Sequence, residues 1–167
     1  MEYVGQQNIK TYCNFYVSDL HLSVMLLPYL SKQINEDVEI TTIFENVKKE
    51  DIEEVLEKLN VKNKEKILNI NWFNSNKDKN EEIEDTIKNN LQKKKQNVVI
   101  IGGNEDYINE NNSMIFELLN NVENINNIKV INCYNIEEIK SDMSEIVKQY
   151  DGILNTSGEI GINENKI

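Results

Sequence analysis

Short segments rich in β-branched and aromatic residues alternate along this chain with segments whose apolar residues recur at helical spacing, and that alternation admits few folds. The strand-like segments are 11–17, 38–44, 66–72, 97–101, 129–133 and 152–155. Between them Ile52, Val55, Leu56 and Leu59 form one helical stripe, and Ile83, Ile87 and Leu91 a second. Ile115, Leu118, Leu119 and Val122 form a third stripe, and Ile136, Ile139, Met143, Ile146 and Val147 a fourth. Strands that alternate with amphipathic helices pair in parallel through right-handed crossovers. The expected fold is therefore α/β: a three-layer sandwich with a mostly parallel sheet of five or six strands and helices on both faces. The run VVII at 98–101 lacks polar alternation, as a central strand covered on both sides requires.

Local signals agree with these periods. Asp78 with Glu81 has the spacing of a capping box, and Asn135 is placed to cap the segment after it. Glu50, Asp51, Glu53 and Glu54 sit in a first helical turn, where the helix dipole favours acids. Pro28 falls inside the helical stretch 20–34, so that helix either bends or begins at the proline.

The 167 residues suit one domain, 1–167, because a single proline and six glycines leave no obvious linker. A chain of this size buries on the order of 70% of its extended surface, so neither disulfide nor structural metal is required. The 18 basic residues are all lysine and face 29 acids, for a formal charge of -11. Nucleic acid is excluded as a partner: there is no basic face to neutralise phosphates and no guanidinium to read bases. The longest apolar run, 24–27, is far too short to cross a bilayer, and the start MEYVGQQNIK has no signal-peptide pattern. A cytoplasmic location away from membranes follows as the expectation.

Ligands of such sheets bind beyond the carboxyl ends of the strands. Those ends read Ser18, Asp19 and His21, then Glu45 and Asn46, then Asn74 and Ser75. Gly102, Gly103, Asn104 and Glu105 follow the fourth segment, Tyr134 and Asn135 end the fifth, and Thr156, Ser157 and Gly158 close the sixth. The glycine pair has two readings: backbone N–H groups turned toward a ligand, or an ordinary strand-to-helix turn. It lacks the Lys-Ser/Thr of a phosphate loop and the third glycine of a dinucleotide loop. The stretch around Ser157 likewise reads as an anion cradle or a plain turn. His21 is the only histidine, either a proton shuttle or a simply exposed side chain. Cys13 and Cys133 have no zinc-site spacing and read as buried thiols, close together if their strands are neighbours. Trp72, Phe73, Tyr16 and Tyr134 either wall a pocket or pack in the core.

The stretches NFYVSDLHLSVMLLPYLSKQI, INCYN and GILNTSGEIGIN, in this order, resemble the methanogen/methylotroph DcmR-type sensory (MEDS) domain, a RecA-like or KaiC-like relative. The resemblance implies a sensor of small organic ligands and nominates Tyr16, Ser18, Asp19, Cys133 and Tyr134 as ligand contacts. The chain departs from that pattern at Asn14, at the adjacent Cys133 and Tyr134, and at Gln149 with Tyr150, so a histidine-dependent site does not carry over.

Three function classes follow. The first is a stand-alone sensory or regulatory domain that binds a small ligand or nucleotide through Tyr16, Ser18, Asp19, Gly102, Gly103, Asn104, Cys133, Tyr134 and Ser157, and signals through a protein partner. The second is a degenerate nucleotide-dependent hydrolase or transferase with Asp19, His21 and Glu105 in acid-base roles. The third is an interaction module without ligand, with homodimerisation open. No cofactor or metal is indicated by residue spacing.

Overall fold

The computed structural model describes residues 8–34, 37–74, 78–93, 96–122, 127–155 and 158–161. Its strands are β1 (Ile9–Tyr16), β2 (Val38–Phe44), β3 (Asn71–Asn74), β4 (Gln96–Gly103), β5 (Asn127–Asn135), β6 (Gly152–Asn155) and β7 (Gly158–Gly161). Its helices are α1 (Asp19–Gln33), α2 (Lys49–Lys58), α3 (Lys64–Leu68), α4 (Asn80–Lys93), α5 (Glu105–Asn120) and α6 (Met143–Val147). The strands form one sheet in the order β3-β2-β4-β5-β1-β6-β7. Every pairing among β1 to β6 is parallel, and β7 runs antiparallel to β6.

The strand order explains the layers. From β1 the chain moves through β2 to β3 toward one edge, then reverses through β4, β5 and β6 toward the other. Crossovers of one hand that run in opposite directions land on opposite faces. Accordingly α1, α2 and α3 cover one face with Leu22, Leu26, Leu30, Ile52, Leu56 and Ile67. The other face is covered by α4, α5 and α6 with Ile83, Ile87, Leu91, Ile115, Phe116, Leu119 and Ile146. Within β4, Val98 and Ile100 join the first core while Val99 and Ile101 join the second, so the strand is buried on both sides.

The three-layer architecture is as expected, with seven strands instead of five or six. The third segment needs correcting. Residues 66–68 belong to the short helix α3, and the strand is Asn71–Asn74. A segment as short as Ile67 to Ile70, with apolar residues at 67, 68 and 70, does not separate strand from helix by periodicity. Here Ile67 alone is buried in α3, and its carbonyl accepts from Trp72 Nε1 at 3.0 Å. Asp78 does not cap α4, which starts at Asn80; its carboxylate accepts from the Asn74 N–H at 2.8 Å and closes the strand end instead. The fourth stripe is broken into a 3-10 turn, Ile136–Glu138, and α6, which leaves Met143 exposed. Asn135 does cap that turn, accepting from Glu137 N at 3.1 Å.

Helix α1 runs through Pro28 rather than starting there. Proline removes the bond to the carbonyl four residues back, here Val24, and both Val24 and Pro28 lie on the solvent side. Strand β7 is held by more than pairing. The carboxylate of Glu159 accepts from Lys129 Nζ at 2.7 Å and from the Tyr29 hydroxyl at 2.8 Å, tying the edge strand to β5 and α1. Among the described residues no helix is long and apolar enough to cross a membrane.

Candidate functional site at the carboxyl edge

Neighbouring strands whose chains leave for opposite faces open a crevice between their carboxyl ends, and this sheet has two central pairs of that kind, β2/β4 and β5/β1. At β2/β4 the crevice is closed by the chain itself. Glu45 accepts from the Asn104 N–H at 3.2 Å and from Asn104 Nδ2 at 3.0 Å, while Asn104 Oδ1 caps α5 by accepting from Tyr107 N at 2.7 Å. A carboxylate of the protein thus occupies the helix N-terminus where a phosphate would otherwise be favoured. The glycines are strand residues with a packing reason. A Cβ on Gly102 would lie 2.9 Å from Phe44 Cδ1, and one on Gly103 would lie 2.8 Å from Tyr107 Cδ2 and 2.9 Å from Glu45 Cβ. Gly103→Ala is expected to cost about 1–3 kcal/mol by overpacking, read as a lowered urea midpoint; an unchanged midpoint would show that Tyr107 and Glu45 do not confine this position.

At β5/β1 the structure brings together Tyr16 and Cys133, both in the core beneath α1. Burial pushes the Tyr16 phenol above its ordinary range, and the Cys133 thiol and the carboxylates of Asp19, Glu45 and Glu138 add to the shift. Tyr134 points to the other face, where its hydroxyl bonds that of Tyr150, which also accepts from Asn132 Nδ2 at 2.7 Å. Cys13 faces the same side as Tyr134. The strands of the two cysteines are neighbours, but the register pairs Cys13 with Asn132 and Asn14 with Cys133. That one-residue offset puts the thiols on opposite faces of the sheet.

The remaining candidates hold local structure. Ser18 is the N-cap of α1, accepting from His21 N at 3.1 Å, and His21 Nδ1 accepts from Val17 N at 3.0 Å. Glu105 accepts from Lys140 N at 2.9 Å, Ser141 N at 3.0 Å and Ser141 Oγ at 2.8 Å. The bonds from Ser141 hold its carboxyl below the ordinary carboxylate range. No hydrogen bond or ion pair among the described residues joins Asp19, His21 and Glu105 to one another, so the three form no acid-base constellation. Ser157 lies outside the described residues.

An open cleft does lie on this edge, further out, at the ends of β2 and β3. It measures about 670 Å³ and is lined by Val47, Trp72, Phe73 and Asn74, by Lys48 and Lys49, and by Glu50, Asp51 and Asp78. The indole is fixed by its bond to Ile67 and by a tilted contact with Phe44, ring centres 6.0 Å apart. Asn74 Nδ2 donates to the Glu45 carbonyl at 3.1 Å. Two of the three lining acids are oriented by backbone N–H groups and keep their charge: Asp51 accepts from the Lys48 N–H at 2.9 Å and Asp78 from the Asn74 N–H. Among the described residues neither Lys48 nor Lys49 enters an ion pair. The cleft therefore offers aromatic walls and two ammonium groups at the first turn of α2, a combination suited to a flat ring that carries an anionic group. Lys48 and Lys49 were not singled out by the sequence, since nothing local shows that the loop after β2 meets the end of β3. No group of three or more His, Cys, Asp or Glu among the described residues is placed to hold a metal ion.

Fold and cleft together define an α/β protein whose mostly parallel sheet opens a small-molecule-sized recess at the carboxyl ends of two strands. Comparison with known protein families, curated proteins and solved structures finds no match to this chain.

Proposed function

We propose that this protein is a cytoplasmic sensory or regulatory domain that binds a small ligand at the carboxyl edge of its sheet and passes the occupancy to a protein partner. The observation that carries the reading is the cleft of about 670 Å³ between α2 and β3, within the range of small-molecule sites. Its chemistry favours a planar ring bearing a carboxylate or phosphate, a class that includes nucleotides. The resemblance to MEDS-type sensors supports a regulatory role. The absence of an assembled acid-base group around Asp19, His21 and Glu105 gives catalysis no comparable support.

Trp72 is the only tryptophan, so its emission reports directly on the cleft. Titration with a panel of aromatic carboxylates, nucleoside phosphates and aromatic amines is expected to quench or shift that emission for anionic members, with Kd in the micromolar range. The double variant Lys48→Ala/Lys49→Ala should weaken binding about tenfold, the equivalent of ~1.4 kcal/mol. The reading fails if no member changes Trp72 emission or Tm, or if amines bind as well as anions.

A further inference from the structure

We infer that the groove between α1 and α2 is the docking surface for the partner, and that the occupant is a cationic amphipathic helix of another protein. This names the partner of the regulatory reading above and rests on it. The groove measures about 460 Å³ and is lined by Leu20, Val24, Val55 and Leu59, with Asp19, Asp51, Glu54 and Lys58 along its sides. Leu20 is 64% exposed, Val24 43% and Leu59 37%. Among the described residues most large apolar side chains are buried, so three exposed ones lining a single groove form a patch and not a scatter.

Charge selects the occupant. Three carboxylates border the groove against a single ammonium, and that one, Lys58, already lies 3.9 Å from Glu54. An apolar stripe flanked by lysine or arginine matches both the apolar and the acidic residues of the lining, the pattern by which helices seat in grooves. A second copy of this chain, with formal charge -11, would bring acids to acids. The position of the groove also connects it to the cleft. Helix α2 presents its first turn, Lys48 to Asp51, to the ligand cleft, and Asp51, Glu54, Val55 and Lys58 to the groove. A ligand that shifts the first turn of α2 therefore moves one wall of the docking surface, through a single rigid element.

The test is selection on the full chain from a displayed library of amphipathic helices about five turns long, with the apolar stripe fixed and the flanking positions free to be Lys, Arg, Asp or Glu. Lysine and arginine should be enriched at the flanks. A selected helix should lose about tenfold in affinity against Leu20→Ala/Val24→Ala and again against Glu54→Lys, and weaken as salt is raised. These side chains are exposed, and circular dichroism verifies that the variants fold. Failure to enrich any sequence, enrichment of acidic or charge-indifferent flanks, or winners untouched by those substitutions overturns the inference. So does self-association in sedimentation that Leu20→Ala/Val24→Ala abolishes, which makes a second copy the occupant. Cross-links from residues 1–7 or 162–167 of the same chain to the groove would overturn it as well. None of the substituted residues lines the cleft, so Trp72 titrations on the same variants separate loss of docking from loss of ligand binding.

Discussion

Raising the pH is expected to unfold this protein in one steep step between about pH 10 and 11. Five buried acids that hold their protons in the folded state drive it. Burial pushes the Cys13 thiol from its ordinary 9.0 up to about 12, and burial with the neighbouring Cys13 raises Cys133 further. Burial likewise raises the phenols of Tyr16, Tyr29 and Tyr134 well above their ordinary 10.0. At Tyr29 the Glu159 carboxylate adds to it, and at Tyr134 the Tyr150 hydroxyl does. In the unfolded chain the thiols lose protons near 9.0 and the phenols near 10.0. Above those values the folded state binds more protons than the unfolded one, so stability is complete below about pH 9 and falls as pH rises. Each group removes about 1.4 kcal/mol per pH unit beyond its ordinary value, and by about pH 11 the five together remove about 10 kcal/mol. That is the size of a whole domain's stability, ~5–15 kcal/mol. Tyrosinate absorbance and far-ultraviolet circular dichroism, titrated in parallel, should change together and more steeply than a one-proton transition. Gradual tyrosine ionisation around pH 10 with the dichroism intact would mean that these phenols reach water and that the cores are not closed over them.

The same burial shows how far the sequence could be read. Two segments were legible to the residue: β2 and β6 have the expected bounds. The run from Lys66 to Trp72 was not, because its apolar residues Ile67, Leu68 and Ile70 fit a helical turn as well as a strand. Strand β7 has the sequence GEIG, with two glycines in four residues, and exists because β6 and the Glu159 ion pair hold it. The glycine pair and the polar residues around it marked a real strand end, but its chemistry depends on strand order. With β2 beside β4, Glu45 fills the crevice, and no local pattern encodes that adjacency. Trp72 and Phe73 were readable as walls of a pocket; their lysine neighbours across the cleft were not. Asn14 and Asn132 are buried amides in β1 and β5, and a buried amide group calls for a partner. Asn14 Nδ2 donates to the Leu154 carbonyl at 2.6 Å, and Asn132 serves Tyr150. The first ties β1 to its neighbour β6, and the second ties β5 to Tyr150 beyond α6.

Gly152→Val should be the most damaging single substitution at a position that carries no side chain now, with a loss of about 3 kcal/mol. A Cβ at this position would lie 2.3 Å from the Ile160 carbonyl oxygen and 2.9 Å from the Tyr12 ring. The ring can swing aside, but the carbonyl is backbone of the paired strand, so relief requires β7 to separate from β6. Gly152 is also the residue through which β6 pairs with Tyr12 of β1. Separation takes Glu159 away from Lys129 and Tyr29, which leaves a partly buried ammonium and a buried phenol without their shared acceptor. Desolvated groups that lose a partner add their own penalty to the steric one. Gly158→Ala is the control. That glycine has φ of +121°, but an added Cβ would meet nothing within 4 Å, so only backbone strain of about 1–2 kcal/mol is expected. Urea unfolding should therefore place Gly152→Val well below Gly158→Ala, and hydrogen exchange should show amides of 153–155 and 158–160 unprotected in the valine variant while β4 and β5 remain protected. Equal midpoints for the two variants would mean that the clash at Ile160 is relieved without breaking the hairpin, and that Glu159 rather than strand pairing fixes this edge of the sheet.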